Sequence, residues 1–303
     1  MTIQLSIIVR VVAGGEFLRR CLDHLAPQTQ NRPFEIIVPY DARVAGIAQI
    51  KNDFPEIIFI ATPAPSRAER WTPGDAHEVY DVRTAAGLHA ARGDTIAILE
   101  DFGIAPPDWC DQILRAHQLP YGVIGGAMEH VGRGALNWAV FFLDLGRYQL
   151  PLREGVAEYL TDNNVSYKRG ALESVKPVWS ERYNEATVHW ALARNGVVLW
   201  RRPQIVMHQD RGQMKLTTCL TERFFWGRIF GRKRAAECSF ARRVIYILAS
   251  TLIPAIVLAR LTGKIMRGAR HRAKFIFAFP LIVALAACWN LGELVGYLQG
   301  AEK

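Results

Sequence analysis

The stretch LSIIVRVVAGGEFLRRCLDHLAPQTQNRPFEIIV, residues 5–38, decides the fold. Its first five residues are almost all apolar, which is typical of a strand buried inside a sheet. Gly14 and Gly15 interrupt the run, and apolar residues then recur at helical spacing as far as Leu25. A second apolar run, residues 34–38, closes the stretch. The order strand, helix, strand predicts a βαβ unit with parallel strands.

The same alternation continues beyond residue 38 and predicts an α/β domain with a mostly parallel central sheet. Predicted helices cover 42–54 and 82–92, predicted strands cover 57–60 and 95–99, and residues 61–78 are expected to form a loop. Later expected elements are strands at 123–126, 164–167, 197–200 and 205–208, an aromatic-rich segment at 133–150 and a helix at 185–194.

The charge of this 303-residue chain is unevenly placed. The formal net charge is +9, but thirteen basic residues and one acid lie between Arg223 and Lys274, so the remainder carries −3. This basic region flanks apolar sequence. Such an arrangement favours an anionic membrane surface over nucleic acid, which requires a basic folded face. We therefore expect no nucleic-acid partner.

Two uncharged apolar segments, 244–259 and 275–292, follow the start of the basic region. Each is marginally short for the hydrocarbon layer, and Pro254 lies inside the first. The first segment is expected to dip into the membrane or lie along its interface, and the second to be able to span it. A two-helix hairpin and two buried helices of a soluble domain are the alternatives.

The five cysteines are odd in number and widely spaced, without a CxxC pair. This pattern argues against a disulfide framework or a structural zinc site and favours a reducing compartment. The sequence before Leu5 lacks the features of a signal peptide. We therefore expect a protein at the cytoplasmic face of the inner (plasma) membrane.

Ligands of such sheets bind beyond the carboxyl ends of the strands, which here are residues 10–15, 40–43 and 100–104. The predicted strand 95–99 runs into the acid pair Glu100-Asp101. Carboxylate oxygens suit Mg²⁺ or Mn²⁺, and these ions usually bridge a carboxylate to substrate phosphates. A solvated turn is the plainer interpretation of the same pair.

The sequence resembles the family 2 glycosyltransferases, which have a GT-A fold. The resemblance rests on ordered pieces: LSIIV with Gly14-Gly15 and FLRRCLDHL, FEIIV with Asp41, TAAGLHAARGDTIAILED, PPDW at 106–109, NNVSYKRGALESV at 163–175, Glu185, VMH at 206–208 and RFFWGRIFGRKR at 223–234. The final GELVGYLQG is similar to the ends of membrane-associated members that act in polysaccharide assembly.

The resemblance implies a hexosyltransferase-type enzyme that moves a sugar from a nucleotide-sugar donor, with inversion, to a lipid-linked or polysaccharide acceptor. It implies donor contacts from a set of residues spread along the chain: Arg10, Asp41, Arg83, Glu100, Asp101, Asn163, Asn164, Arg223, Trp226 and Arg228. Plainer interpretations stand beside these contacts. Asp41 can cap a helix, the paired asparagines can form a turn, and the segment from Arg223 can begin an interfacial helix.

The resemblance also implies a divalent metal, Mg²⁺ or Mn²⁺, held by Asp101 and Glu100, with His208 as a further ligand or a structural residue. The family's acidic motif usually has a third acid, and Phe102 stands in that position. For catalysis the resemblance implies Glu185 as the general base that takes the acceptor proton, or as a helix cap. His189 lies one turn further on and is expected to orient or share that proton.

These features predict a GT-A catalytic domain at 1–222, a basic interfacial segment at 223–243 and membrane-associated helices at 244–303. The alternative function is a catalytically degenerate GT-A subunit that serves as a binding or scaffold component of a polysaccharide-synthesis complex. That alternative is motivated by Phe102 and by Ala186, which follows the expected base where the family has a second acid. A nucleotidyltransferase would require a basic phosphate loop after the first strand, and no Lys follows Gly15.

Overall fold

A computed structural model of the chain describes residues 2–63, 73–250, 253–268 and 270–300. These residues form two compact units. The sheet unit contains the described residues before 64 together with Glu78–Val131 and Tyr148–Asp210. The helical unit contains residues 73–77, Gly132–Arg147 and the described residues from Arg211 onward.

The strands of the described chain are β1 (Leu5–Arg10), β2 (Phe34–Tyr40), β3 (Ile58–Ala61), β4 (Thr95–Glu100), β5 (Gly103–Ile104), β6 (Val123–His130), β7 (Gly155–Val156), β8 (Val165–Lys168) and β9 (Leu199–Gln209). The helices are α1 (Gly15–Thr29), α2 (Ile47–Asp53), α3 (Pro73–Ala90), α4 (Trp109–Ala116), α5 (Ala135–Leu145), α6 (Arg169–Glu173), α7 (Lys176–Trp179), α8 (Glu185–Arg194), α9 (Leu216–Ala236), α10 (Phe240–Ala249), α11 (Ile253–Gly268) and α12 (Arg272–Gln299).

The strands form one sheet in the order β3-β2-β1-β4-β8-β6-β9-β5, and β7 pairs with β9. Strands β1 to β4 of this path pair in parallel, and β6 and β9 also pair in parallel. β8, β5 and β7 run against their neighbours. The expected mixed α/β fold with a mostly parallel central sheet is thus confirmed.

The first βαβ unit forms as its sequence pattern predicts. Every residue of β1 is buried, because a central strand is covered on both faces. The apolar stripe of α1, which includes Leu18, Leu22 and Leu25, is buried as well. Gly14 begins α1 with a φ of +69°, and a Cβ there would lie 2.8 Å from Cγ1 of Val44. Both facts favour glycine at this turn.

Three predicted boundaries differ from the structure. Residues 73–78, expected in a loop, belong to α3, whereas 64–72 of that expected loop lie outside the described residues. α2 begins only at Ile47 rather than at residue 42. The two strands expected at 197–200 and 205–208 are one strand, β9, whose pairing with β6 shifts register between Gly125 and Ala127. This irregularity accommodates Pro203, which has no N–H for the ladder.

The helical unit is built around close packing of α9 and α12. Cβ atoms added at Gly227 and Gly231 would lie 2.1 Å and 2.4 Å from backbone oxygens of Trp289 and Glu293. Glycine therefore lets the two backbones touch, as in small-xxx-small helix pairs. The carboxylate of Glu293 accepts hydrogen bonds from the Tyr297 hydroxyl at 2.6 Å and the Trp289 indole at 3.3 Å.

The apolar segment 244–259 is not one helix. α10 ends at Ala249 and α11 begins at Ile253, so the segment is divided between two helices. Among the described residues, α12 is the one helix long and apolar enough to cross a membrane by length and composition, and 33% of its most apolar window is buried. The boundaries predicted at residues 222 and 243 lie inside α9 and α10.

Candidate active site at the carboxyl edge of the sheet

Arg10 lies at the centre of the candidate site. It ends β1 and is the register partner of Glu100 at the end of β4. Its guanidinium lies over the ring of Tyr80 from α3, 4.2 Å from the ring centroid, and the Tyr80 hydroxyl donates a hydrogen bond of 2.6 Å to Oε1 of Glu100. Arg10 is only 1% exposed. A buried guanidinium requires carboxylate partners, and this edge of the sheet provides them.

The second partner of Arg10 is Asp162, in the loop before β8. One guanidinium nitrogen pairs with Oδ2 of Asp162, and the other donates to the Asp162 backbone carbonyl at 2.8 Å. That second nitrogen also lies 3.4 Å from Oδ1 of Asn163, a residue that was predicted to contact the donor. Arg10 at the end of β1 thus contacts both the side chain and the backbone of Asp162 in the loop.

Glu185 joins this group from the start of α8. Its carboxyl is buried and faces the charges of Asp162, Arg10 and Asp81. Burial, together with the negative charges of Asp162 and Asp81, raises the pKa of Glu185 to about 8. Asn184 accepts the cap hydrogen bond from the Thr187 amide at 3.4 Å, so the N-cap of α8 is Asn184, not Glu185.

We name Glu100, Tyr80, Arg10, Asp162 and Glu185 the Arg10 network. Its members come from β4, α3, β1, the loop before β8, and α8. Arg10, Glu100 and Glu185, which sequence analysis placed at the site, are thus brought together by the fold. Low dielectric strengthens each of these charge interactions and makes loss of any one partner costly.

Asp41 and Arg83, also predicted to contact the donor, lie together beyond β2. Arg83 donates to Oδ2 of Asp41 at 2.5 Å and to the Val11 carbonyl at 2.9 Å. The Arg43 guanidinium donates to both carboxylate oxygens of Asp41, and the Arg43 amide donates to Oδ1. Burial alone would raise the pKa of Asp41, but these hydrogen bonds hold it well below its usual range. Arg43 remains 39% exposed and was not predicted.

Asp101 has a different set of contacts. Its Oδ2 accepts hydrogen bonds from the backbone amides of Ala13 and Gly14, at 3.0 Å and 2.7 Å, and its side chain is fully buried. Oδ1 is buried without a hydrogen-bond partner among the described residues. Burial raises the pKa of Asp101 to about 7, although hydrogen bonds from the backbone of Gly14, Val12 and Ala13 act in the opposite direction. Asp101 thus fixes the loop after β1.

The predicted metal ligands do not converge in the described structure. The Glu100 carboxylate accepts from Tyr80 and lies 3.5 Å from the Gln209 amide, whereas Asp101 bonds to the loop after β1. No group of three or more His, Cys, Asp or Glu side chains among the described residues is arranged to hold a metal ion. The residue after the acid pair, Phe102, is buried and packs edge-on against Phe17, with ring centroids 5.1 Å apart. The described residues therefore show no cluster of three protein ligands for the expected Mg²⁺ or Mn²⁺, and a metal held by Glu100 and Asp101 stays a prediction.

Strand alternation places His208 on the opposite face of β9 from Gln209. Its neighbour in β9, Gln209, directs its amide to Glu100, and successive side chains of a strand point to opposite faces. The His208 side chain makes no hydrogen bond or ion pair within the described part of the chain. Its expected role as a metal ligand with Glu100 and Asp101 stays a prediction. Gln209, which sequence analysis passed over, is the β9 residue at the site.

The proton-sharing role expected for His189 is also not supported. Its Nε2 lies 2.8 Å from the Tyr167 hydroxyl, which in turn lies 2.6 Å from the Tyr183 hydroxyl. Burial lowers the pKa of His189 to about 4, so the imidazole is neutral. No hydrogen bond joins it to Glu185 in the described structure. His189 lies one turn after Glu185 on the same face of α8, and its side chain is buried in the core, with 1% exposed.

Asn164 and Asn163, adjacent in sequence, have different environments. The Asn164 amide donates to the carbonyls of Ala127 and Ile205 at 2.9 Å each, and its oxygen accepts from the Trp109 indole at 3.0 Å. Its side chain thus joins three elements of the sheet unit, and these contacts leave the predicted donor contact without support. Asn163, beside Arg10, stays a candidate.

Arg223, Trp226 and Arg228 lie on α9 in the helical unit. Arg223 is 1% exposed and makes a bidentate pair with Asp144, and its guanidinium lies 5.0 Å from the Trp226 ring centroid. Arg228 donates to the Gln299 side chain at 3.0 Å. Within their unit these residues connect α9 to α5 and α12. Their predicted donor contacts stay predictions.

No family model matches the sequence, and no curated protein matches it. Solved structures do match. TarS 1-349 from S. aureus in complex with UDP-GlcNAc superimposes with a TM-score of 0.50 at 12% identity, over 96% of this chain and 90% of that chain. The mannosyltransferase PcManGT from Pyrobaculum calidifontis, in complex with GDP-Man and Mn²⁺, superimposes with a TM-score of 0.47 at 16% identity, over 98% and 74%. The likeness to TarS shows that the chain has the expected GT-A fold.

Proposed function

We propose that the protein is an inverting glycosyltransferase that takes a sugar from a nucleotide-sugar donor. The observation that carries the proposal is the Arg10 network, which places an acid with a shifted pKa beyond the carboxyl ends of the parallel strands of a GT-A sheet. Ligands of open α/β sheets bind at that edge, and perturbed carboxyls cluster at functional sites. Membership of family 2 stays a prediction from the resemblance.

The chemistry assigned to Glu185 is general-base catalysis. The acceptor hydroxyl oxygen forms a bond to the anomeric carbon while the bond from that carbon to the diphosphate oxygen breaks. The hydroxyl proton passes to the Glu185 carboxylate. A base whose pKa lies near the working pH is efficient, because it combines adequate basicity with an adequate ionised fraction.

Negative charge that develops on the nucleoside diphosphate requires stabilisation. Arg43 is a guanidinium with exposed surface in the loop after β2, where the fold places donors, and it is supported by Asp41. A divalent metal would also stabilise that charge, but the contacts of Glu100 and Asp101 do not support a metal site. Metal dependence therefore stays a prediction from the resemblance, and we derive no step from it.

The acceptor is proposed to be a lipid-linked saccharide or a growing polysaccharide at the cytoplasmic face of the plasma membrane. Large apolar side chains are exposed along the helical unit, among them Phe240 and Leu248 on α10 and Phe277 on α12. Basic residues such as Arg242 and Lys274 lie on the same helices. Exposed apolar surface with basic flanks suits an anionic bilayer.

The alternative is a GT-A subunit that binds without catalysis. It is favoured by one observation, the use of Asp101 to fix the loop after β1. In that case the carboxyl edge would serve as a binding surface for the donor or for another component of a synthesis complex.

A thermal-shift panel of UDP-, GDP- and dTDP-sugars, each with and without Mn²⁺, tests donor binding on the full chain. A ligand that binds only the folded state raises the unfolding temperature. Stabilisation by one nucleotide sugar, followed by release of its nucleoside diphosphate in the presence of membrane extracts, would support the enzyme. Stabilisation without turnover would favour the non-catalytic alternative, and no stabilisation by any donor would contradict the enzyme.

A further inference from the structure

We propose that α12 lies along the surface of one membrane leaflet through an apolar stripe and does not cross the bilayer. This inference rests on the membrane location proposed above and adds the orientation of the helix. α12 is long and apolar enough to cross a membrane, so its length alone leaves both orientations open. Its packing within the helical unit, the charges of its neighbours and the pattern of its exposed residues favour the flat orientation.

The first observation is that one side of α12 is buried along the whole helix. Its buried residues extend from Phe275 to Tyr297 and lie on one face. Near the start of α12, Phe275 packs edge-on against Phe142 of α5, with ring centroids 5.2 Å apart. Near its end, a Cβ at Gly296 would lie 2.3 Å from the carbonyl oxygen of Arg228 in α9. α12 is therefore the central helix of its unit, and a layer that contains α12 must also contain the parts of α5 and α9 beside it.

The second observation is the charge of those neighbours. Arg223 of α9 pairs with Asp144 of α5. The glycine contacts hold the backbones of α9 and α12 together over 224–232 and 289–296, so a spanning α12 would carry charged side chains of α9 into the hydrocarbon. Each such charge is costly at the centre of a bilayer. The charged residues of α9 are Glu222, Arg223, Arg228, Arg232, Lys233 and Arg234.

The third observation is that the opposite side of α12 is apolar from end to end. Ile276, Val283, Leu291 and Leu298 follow one another at intervals of two helical turns and are between 39% and 62% exposed. We call these four residues the apolar stripe. Between its ends the one charged residue is Glu293, which is 6% exposed and bonded within the unit. At 1.5 Å per residue the stripe is about 33 Å long. A long apolar stripe on one side of a helix suits insertion parallel to the membrane plane.

Basic side chains at both ends of the apolar stripe identify anionic headgroups as its partner. Arg272 and Lys274 precede the stripe. At its far end Arg243 donates to the Leu298 carbonyl at 2.8 Å, and Arg228 donates to the side chain of the next residue at 3.0 Å. A spanning helix would place these two basic groups on opposite sides of the bilayer, against the usual preference for the cytoplasmic side. In the flat orientation both groups meet the phosphates of the same leaflet.

The experiment measures the depth of the apolar stripe at its start, middle and end. Ile276→Cys, Ala287→Cys and Leu298→Cys are made singly in the full chain and labelled with a fluorophore, after the partly exposed Cys238 and Cys288 have been changed to Ser; the other cysteines are buried. Each protein is reconstituted from detergent into vesicles of phosphatidylglycerol and phosphatidylcholine, so that either orientation can form. Lipids with quenchers at different depths then locate each label. We expect one shallow depth at all three positions. A profile that is deepest at residue 287 and shallow at both ends would overturn the proposal.

Vesicle flotation provides a second measurement. Val283→Ser combined with Leu291→Ser is expected to lower the bound fraction several-fold at fixed lipid and to leave the unfolding temperature nearly unchanged, because both side chains are exposed. The matched control is Val156→Ser combined with Val198→Ser, two exposed valines of the sheet unit, and it should bind as the native chain does. Undiminished binding by the stripe variant would overturn the proposal.

These measurements require no substrate and separate the inference from the proposed function. A native chain that does not bind vesicles would contradict the membrane location itself, whereas binding with a spanning depth profile would overturn the flat orientation alone. Sedimentation equilibrium without lipid tests a second copy of the chain as the partner. A dimer that the stripe variant dissociates, with vesicle binding unchanged, would assign the stripe to that dimer and overturn the proposal.

Discussion

The carboxylate oxygen Oδ2 of Asp101 accepts a hydrogen bond of 2.7 Å from the backbone amide of Gly14. A second bond from Ala13 reaches the same oxygen. An acid expected to bind a metal thus holds the turn between β1 and α1, in which Gly14 and Gly15 both have positive φ. The relationship changes what a substitution of Asp101 should do.

Asp101→Ala should lower the free energy of unfolding by about 1–3 kcal/mol, because it leaves the buried amide of Gly14 and the partly buried amide of Ala13 without an acceptor. Urea denaturation measures this value. Asp94→Ala, at an exposed acid before β4, is the control and should change stability by less than about 0.5 kcal/mol. A loss of activity in Asp101→Ala with unchanged stability would instead indicate a ligand role for Asp101.

Stability should also depend on pH through Asp101. Its pKa is about 7 in the folded chain, above the ordinary value near 4 that it has when unfolded. Between these values the folded state binds more protons, so the stability of the native chain falls as pH rises from about 4 to about 7 and then levels off. Asp101→Asn should lack this contribution. Unfolding curves of both chains from pH 4 to 9 test it, and a native chain that gains stability relative to the variant over that window would contradict it.

Arg83 and Arg43 offer a matched pair of substitutions, since both donate to Asp41. Arg83 is buried and Arg43 is 39% exposed. Arg83→Gln should cost about 2 kcal/mol or more, because it weakens a buried ion pair and frees the Val11 carbonyl. Arg43→Gln should cost less than about 1 kcal/mol, as exposed pairs do. Equal losses in urea denaturation would show that burial does not distinguish the two arginines.

Membrane binding can be tested on α10 without disturbing the core. Phe240 and Leu248 are 77% and 73% exposed, so their replacement by Ser should leave the unfolding temperature nearly unchanged. Co-sedimentation of the double variant with anionic lipid vesicles should fall several-fold, because each lost side chain removes apolar burial in the bilayer. Val156→Ser, an exposed site on β7 in the sheet unit, is the control. Undiminished binding by the α10 variant would exclude this helix from the membrane contact.

The packing of α9 on α12 predicts a strong effect of one methyl group. A Cβ at Gly292 would lie 1.9 Å from the Phe224 carbonyl oxygen, so Gly292→Ala must push the helices apart. We expect it to lower stability by about 1–3 kcal/mol. Gly263→Ala in α11, where the nearest atom is 3.4 Å away at the end of a flexible arginine, should be neutral or stabilising. Thermal unfolding of the two variants measures the contrast.

The local sequence pattern was sufficient to predict the strands in the parallel half of the sheet. The runs at 5–9, 34–38 and 95–99 are strands, and the helix predicted at 185–194 is observed with those bounds. Periodicity worked here because each element buries a defined face. It failed at Pro203, since a register shift within one strand looks like two strands in sequence.

The sequence by itself determined that polar residues stand at the carboxyl ends of β1, β2 and β4, because apolar runs end there and parallel strands share an edge. Only the tertiary structure decided their partners. Asp101 accepts hydrogen bonds from backbone amides, His208 lies on the opposite face of β9 from Gln209, and Asp162 pairs with Arg10, which is 152 residues away in the sequence. The physical reason is that a buried charge takes the nearest donors, and that proximity comes from packing rather than from spacing along the chain.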